Sequence, residues 1–394
     1  MPALWLPGAV RIIFSCRPAH GHVFPLLPLA MACREAGHDV LFATGESFAG
    51  RLSELGFPVE RVGISIVEAE ERTMRARPEL RGLPREERWR LGVAVFADVL
   101  PRATIDDLRP LLRQNAPDLV VYDEIDLGGP LAAALAGIPA AAHALGRQPA
   151  EALRTVALGP LAEVWRAHAP DVPFEDPFAA NAYLDICPAS LRDPSASEPA
   201  ERVPLRAMTL VGPGDAPPPW VAAARSRPLV YLTLGTYVHG HVESLRAAVT
   251  GLGALEVDVL VTVGPEGDPD ALGPLPASIR AERFVPQGVL LPHVDVVAHH
   301  GGSGTMLGAL AHGLPQLALP HGADQFQNAE ALVERGAGRR LLPEEITPDA
   351  VAQAVRALLA EPRYRDAAAG VAAEIAAMPA PSEVVPALER LAAA

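Results

Sequence analysis

The chain has no lysine; every strongly basic side chain is an arginine. That excludes a Schiff-base lysine and a lysine-bearing phosphate loop. Cysteine is almost missing. Cys16, Cys33 and Cys187 are far apart, odd in number and form no Cys-x-x-Cys, which fits core thiols in a reducing, cytoplasmic compartment. Positive charge is in deficit: 33 basic residues face 47 acidic ones, a net −14. A nucleic-acid or anionic-membrane partner needs a broad basic footprint, so neither is expected. No apolar run is long enough to span a bilayer. The apolar start, Ala3 to Phe14, is broken by Pro7, Gly8 and Arg11 and has no basic flank, so no signal peptide is expected. The first strand–helix turn, Arg17 to His22, lacks Gly-x-Gly-x-x-Gly, which argues against a nicotinamide cofactor.

What is present is the composition of a globular protein, 394 residues with 49% apolar and 20% charged, long enough for two domains. Short apolar, β-branched runs alternate with helical spacing. Strands are expected at Val10 to Ser15, Asp39 to Ala43, Val59 to Val62, Pro117 to Asp123, Ile138 to Ala142, Leu184 to Cys187 and Met208 to Val211. After a Pro/Gly-rich stretch, Gly212 to Pro219, they resume at Leu229 to Leu234, Val257 to Val263, Ile279 to Val285, Val294 to Ala298 and Gln316 to Leu319. Such alternation predicts two parallel sheets covered on both faces, with a domain boundary in that stretch. Ligands then sit beyond the C-terminal strand ends. Between Glu68 and Asn115 the helical pattern is expected to be broken by Pro78, Pro84, Pro101 and Pro110.

The most informative stretch runs from Val294 to Gln325. An apolar strand enters His299-His300-Gly301-Gly302-Ser303-Gly304-Thr305 and continues as a small-residue helix. Strand, Gly-rich turn and helix aim free backbone N–H groups at an anion. Gly302 and Gly304 admit a phosphate, and Ser303, Thr305 and His300 add side-chain donors. A further strand ends in Pro320-His321-Gly322-Ala323-Asp324-Gln325, where Asp324 and Gln325 can read hydroxyls or cap the next helix. Two other groups look like metal motifs and are not assigned to one. Asp268-Pro269-Asp270 lies in a Gly/Pro-rich loop and reads as a solvated turn, and His239-Gly240-His241 has no third ligand nearby in sequence.

His300-Gly301-Gly302-Ser303-Gly304-Thr305, followed by Ala323-Asp324-Gln325-Phe326-Gln327-Asn328-Ala329, resembles the donor signature of family 1 glycosyltransferases. The likeness is greatest to the natural-product glycosyltransferases of antibiotic and enediyne pathways, of calicheamicin type, and covers nearly the whole chain. It implies an α/β fold of the GT-B type, two Rossmann-like parallel-sheet domains facing across a cleft. The expected division is 1–213 for the acceptor, 214–378 for the nucleotide sugar, and 379–394 as a helix returning to the first domain.

The resemblance also implies roles. His22, three residues before Pro25, matches the catalytic base that deprotonates an acceptor hydroxyl; His20 lacks that register. Asp123 matches the acid that holds the far nitrogen of that histidine, although Glu124 and Asp126 stand close by, and Asp123 could instead cap the helix near Gly128. His300 and Gly302 to Thr305 hold the β-phosphate, with Thr236 reaching the phosphates from a neighbouring strand end. Phe284, Val285 and Gln287 form the nucleobase turn, and Asp324 and Gln325 bind sugar hydroxyls. Relatives that use UDP-sugars often carry Glu eight residues after the phosphate histidine, where it binds the ribose; here that residue is Gly308. The expectation is an inverting, metal-independent enzyme without a cofactor, moving a sugar from a TDP-sugar to a lipophilic aglycone, with a homodimer left open. A nucleotide-sugar epimerase of the same architecture and a UDP-sugar donor are the alternatives.

Overall fold

The computed structural model describes residues 8–393 apart from 85, 86, 213, 236–241 and 266. The chain forms two compact units. One comprises Met1–Ile186, Asp193–Leu205 and Pro379–Ala394; the other comprises Cys187–Arg192 and Arg206–Met378.

The first unit is built on a seven-stranded sheet of order β3-β2-β1-β4-β5-β6-β7. Its strands are β1 (Arg11–Ser15), β2 (Asp39–Thr44), β3 (Val59–Arg61), β4 (Leu119–Asp123), β5 (Ala140–His143), β6 (Ala182–Asp185) and β7 (Glu201–Pro204). All neighbouring strands pair in parallel. Helices cover both faces, so central strands are apolar throughout: Ile12, Ile13, Phe14, Leu119, Val120 and Val121 are fully buried. The β1–β4 pairing is pinned at its start by Arg11, whose Nε and Nη2 grip the two Asp118 carboxylate oxygens at 3.0 and 2.5 Å.

Helix α1 (Leu27–Glu35) follows β1, α2 (Leu100–Asn115) precedes β4, and α3 (Gly128–Ala136) follows β4. Pro101 and Pro110, expected to break the pattern, both lie within α2. Pro101 is in its first turn, where no N–H is needed; Pro110 costs a backbone bond that the packing of α2 offsets. That packing is close because of Gly128, where a Cβ would stand 2.5 Å from Thr104 Cβ and 2.9 Å from the Pro101 carbonyl.

The second unit carries a six-stranded parallel sheet of order β10-β9-β8-β11-β12-β13. Its strands are β8 (Leu229–Thr233), β9 (Asp258–Thr262), β10 (Ile279–Glu282), β11 (Val296–His299), β12 (Gln316–Ala318) and β13 (Gly338–Arg340). Side chains alternate between two cores: Val230, Leu232, Val259, Val261, Val296 and Ala298 face one, Tyr231, Leu260 and Val297 the other. Two helices matter for the site, α4 (Ser303–Ala311) after β11 and α5 (Gln325–Glu334) after β12. The final helix, α6 (Pro381–Ala392), belongs to the first unit, where Arg390 pairs with Glu201 at 2.6 Å and Glu389 with His38 at 3.0 Å.

Two sequence expectations need correction. Met208 to Val211 is not a strand; the seventh strand is Glu201–Pro204. That strand and the unexpected Gly338–Arg340 are edge strands bearing charged residues, so they lack the apolar run by which the central strands are recognised. Leu210 and Val211 instead lie on the second unit, where a Cβ at Gly288 would meet Val211 Cγ2 at 2.6 Å and the Leu210 carbonyl at 2.7 Å. The chain therefore changes units between Leu205 and Arg206, ahead of the Pro/Gly-rich stretch that suggested the boundary.

Candidate active site

Each sheet has one point at which the strand order reverses, between β1 and β4 in the first and between β8 and β11 in the second. Loops diverge there and leave a crevice at the C-terminal strand ends. His22 and Asp123 fall at the first of these points and residues 300–305 at the second, whereas Phe284, Val285 and Gln287 follow β10 and Asp324 and Gln325 follow β12.

In the first unit, β1 runs into the turn 16–19 and a short helix, His20–Val23. Asp123 ends β4 and is fully buried. Its Oδ1 accepts the backbone N–H groups of Ile125 and Asp126, both at 2.9 Å, and so shapes its own turn. Its Oδ2 accepts the Arg17 N–H at 2.8 Å and stands 3.2 Å from His22 Nδ1. The separation is of hydrogen-bond length, but the ring N–H does not aim straight at the oxygen. Asp123 thus combines the two roles weighed for it, turn-former through one oxygen and histidine partner through the other. With Nδ1 turned to Asp123, His22 Nε2 is the nitrogen left for a substrate.

Glu124 and Asp126 have other commitments. Asp126 Oδ1 pairs with the buried Arg17 guanidinium at 2.9 Å, and its Oδ2 accepts Ser15 Oγ at 2.5 Å. Glu124 Oε1 accepts the Leu145 N–H and its Oε2 meets the Tyr183 hydroxyl, both at 2.7 Å. His20 is engaged with Phe24 and Phe48, its ring centre 5.2 and 5.0 Å from theirs.

The electrostatics separate these carboxyls. Burial pushes Asp123 up, but the His22 imidazole, the Arg17 N–H and the Arg17 charge pull it net below the ordinary carboxylate value. Asp126 is raised, first by burial and further by Asp123, against the pull of Arg17. Glu124 is pushed by burial to about 8, against the hydrogen bonds from Leu145 and Tyr183. His143, paired in register with Asp123, is lowered to about 4, chiefly by burial. The arrangement keeps one carboxylate ionised against the histidine and neutralises or pairs the rest.

In the second unit, the glycines of the turn after β11 serve different ends. Gly301 has φ +89, and a Cβ there would stand 2.8 Å from the Gln325 carbonyl. Its N–H donates to Nδ1 of His299, a buried imidazole lowered to about 3 mainly by burial and so held neutral. The His300 ring lies in a slot between Gly235 and Gly302. A Cβ at Gly235 would be 2.7 Å from the ring, and one at Gly302 would overlap His300 Nε2. A Cβ at Gly304 would meet nothing, so the first turn of α4 presents open space there. The first N–H groups of α4 have no intrahelical acceptor.

Thr305 Oγ1 accepts the Gln287 amide at 3.0 Å, which leaves its own proton to donate. Phe284 is 48% exposed, whereas Val285 is buried. Thr236, His239 and His241 lie outside the described residues. Asp268 accepts the Asp270 N–H at 3.1 Å and forms a local turn. Among the described residues no cluster of His, Cys, Asp and Glu has the makings of a metal site, and no helix is long and apolar enough to cross a membrane.

Asp324 is the N-cap residue of α5 and caps it through the backbone, its carbonyl accepting the Asn328 N–H at 2.9 Å. Its side chain makes no cap bond: Oδ2 accepts Ser303 Oγ at 3.0 Å and the Asn328 amide at 2.9 Å. Gln325 Oε1 accepts the N–H groups of His321 and Gly322 at 2.8 and 3.1 Å, which leaves its NH₂ unengaged in that turn. Ala323 between them has φ 51, a left-handed conformation that a non-glycine residue adopts at some cost. Sequence reasoning missed Arg17 and Asn328. Asn328 stands one helical turn after Asp324, which is a usable signal; nothing local marks Arg17.

A histidine–carboxylate pair at one strand-order reversal and a glycine-lined helix N-terminus at the other, on two Rossmann-like parallel sheets, suit a nucleotide-dependent transferase. The comparisons agree. The erythromycin biosynthesis protein CIII-like N-terminal domain matches residues 31–235, and the C-terminal domain of the same family matches residues 246–391. The chain is 34% identical to the L-demethylnoviosyl transferase of Streptomyces niveus over 95% of its length and 96% of that protein. It is 30% identical to the TDP-daunosamine transferase DnrS of Streptomyces peucetius, over 98% and 97% of the two chains. The crystal structure of the glycosyltransferase VinC in complex with DTDP superposes with a TM-score of 0.80 at 28% identity, covering 98% of this chain and 100% of that one. The chain belongs to the EryCIII-like family of antibiotic glycosyltransferases, with the GT-B fold, and is itself a glycosyltransferase.

Proposed function

We propose that the enzyme moves a deoxysugar from a thymidine-diphosphate sugar to a hydroxyl of a lipophilic natural-product aglycone in antibiotic biosynthesis, in a single displacement with inversion. The observation that carries this reading is the His22–Asp123 contact of 3.2 Å at the first strand-order reversal. His22 Nε2 takes the acceptor proton as the oxygen attacks the anomeric carbon. The new C–O bond forms as the bond to the diphosphate oxygen breaks, and the imidazolium is balanced by Asp123. The departing diphosphate is met by His300, Thr305 and the N–H groups at the start of α4, so the step needs no cation.

A thymidine nucleotide is favoured by two relatives, DnrS, a TDP-daunosamine transferase, and VinC, whose crystal structure holds DTDP. Gly308 favours it as well, since there is no room there for the ribose-binding Glu of UDP-using relatives: a Cβ would stand 2.8 Å from Thr209 Cγ2. An apolar acceptor fits the exposed Val67, Trp89, Leu153 and Val156, all on helices of the first unit. The relatives are transferases by name, which favours transfer over epimerisation of the donor. Loss of a general base typically costs ~10²–10⁴ in rate. His22→Ala should therefore lower kcat by about that factor, with EDTA present or absent, while TDP affinity stays within two-fold. Turnover surviving His22→Ala within a few-fold, or abolished by EDTA and restored by Mg²⁺, rejects the mechanism.

A further inference from the structure

Asn328 has no catalytic or ligand-contacting role in the reading above, yet its amide nitrogen reaches three acceptors at the second site. It lies on α5, 1% exposed. Its amide nitrogen is 2.9 Å from the Gly301 carbonyl, 3.0 Å from Ser303 Oγ and 2.9 Å from Asp324 Oδ2. Those three atoms belong to two loops. Gly301 and Ser303 come from the turn after β11, Asp324 from the turn after β12. An amide NH₂ has two protons, so the three acceptors share them. A side chain with no donor leaves a buried carbonyl and a carboxylate oxygen short of partners, and an acid there sets a second carboxylate against Asp324.

Ser303 is part of the same arrangement. Its hydroxyl gives its only proton to Asp324 at 3.0 Å and receives one from Asn328. It therefore cannot donate to a phosphate while that contact stands. A phosphate oxygen that takes the Ser303 proton releases Asp324 Oδ2 to accept from another hydroxyl, with Asn328 still holding both residues in place.

We infer that Asn328 is a positioning residue that makes the phosphate turn and the hydroxyl-reading turn a single element, so that occupancy of the first frees Asp324 to read the sugar carried on the diphosphate. This rests on the reading that the diphosphate lies on residues 300–305.

The test measures TDP dissociation constants, donor KM, kcat and Tm for the wild type, Asn328→Leu, Asn328→Asp and Gly304→Val. Leu keeps the branched side-chain skeleton of Asn, with bulkier ends, and removes both donors, so it carries the test even where the acid does not fold. Net loss of one or two buried hydrogen bonds corresponds to about a tenfold change. Asn328→Leu is expected to raise the TDP Kd and the donor KM ~10-fold, and Asn328→Asp more, with kcat at saturating donor and acceptor KM changed less than three-fold. A merely structural role would lower Tm and leave that KM-against-kcat split and the order of Leu and Asp unseen; TDP affinity and donor KM within two-fold of wild type in Asn328→Leu overturn the inference. Gly304→Val tests the underlying reading separately, because its side chain enters space that nothing in the protein fills. If Gly304→Val binds TDP as the wild type does, the diphosphate is not on that turn, and the inference falls with the reading.

Discussion

At the residue scale, glycine and aspartate do most of the selecting in this site, and for steric reasons that differ from place to place. Gly302 is required because the His300 ring occupies the volume of its missing side chain. Gly302→Ala should push that ring out of its slot. We expect TDP affinity to fall at least ~10-fold, with a stability loss of ~1–3 kcal/mol typical of overpacking, read by calorimetric titration and thermal melts. An unchanged TDP Kd in a folded Gly302→Ala would remove His300 from the phosphate site. Gly308 works by exclusion. Its neighbours are Thr209 Cγ2 at 2.8 Å and Leu291 Cδ1 at 3.3 Å, so no carboxylate side chain can grow from that helix toward a ribose without moving them. The wild type should bind TDP more tightly than UDP, because the 2′-hydroxyl finds no acceptor from position 308; clearly tighter UDP binding in the same titration would reverse the assignment of the donor.

At the scale of elements, the ends of β4, β5 and β6 are tied together through Glu124. Its carboxyl bridges the Leu145 backbone and Tyr183, and it forms part of the wall of a small cavity with Tyr122, Ala142 and Gln148. Because burial lifts Glu124 to about 8, the folded protein keeps a proton there that the unfolded chain has lost above its ordinary value near 4.5. The folded state then binds more protons than the unfolded one between those two values, so this group makes stability decline as pH rises from ~5 to ~8 and level off above that. Glu124→Gln removes the titration and keeps an acceptor for Leu145. Its Tm, relative to wild type, should improve steadily from pH 5 to pH 8. A difference that does not vary over that window would mean that Glu124 titrates at its ordinary value. Asp123 has the opposite sign. Its lowered value contributes stability at neutral pH that is lost as pH falls through the acid range.

At the scale of the whole molecule, one architectural rule is used twice. Both sheets reverse strand order beside their first strand, and both put a turn of the proposed site at the reversal, His22 beside β1 and β4, His300 beside β8 and β11. The His22→Ala and Gly302→Ala variants separate the two contributions, since one acts on turnover with TDP binding intact and the other on TDP binding itself. The family match extends over both units, from residue 31 to 235 and from 246 to 391.

The amino-acid sequence by itself determined the alternation of buried strands and helices, the number of sheets, and the two turns on which the proposed chemistry rests. Each of those is a local pattern: apolar runs, a change of period, glycines beside hydroxyls, a histidine three residues before a proline. It also limited the chemistry, by having no lysine and by lacking the glycines of a dinucleotide turn. The resemblance singled out Asp123, and the tertiary structure gave its neighbours other partners: Asp123 stands by His22, Glu124 by Tyr183 and Asp126 by Arg17. The tertiary structure alone joined Arg17 to Asp123 across 106 residues, and Asn328 to the phosphate turn across 25 and 27. It placed the edge strands Glu201–Pro204 and Gly338–Arg340, whose charged residues leave no apolar record. The physical reason is the range of the interactions. Periodicity and turn chemistry act between near neighbours in the chain, whereas the direction of a buried polar side chain is settled by whatever partner packing brings within 3 Å of it.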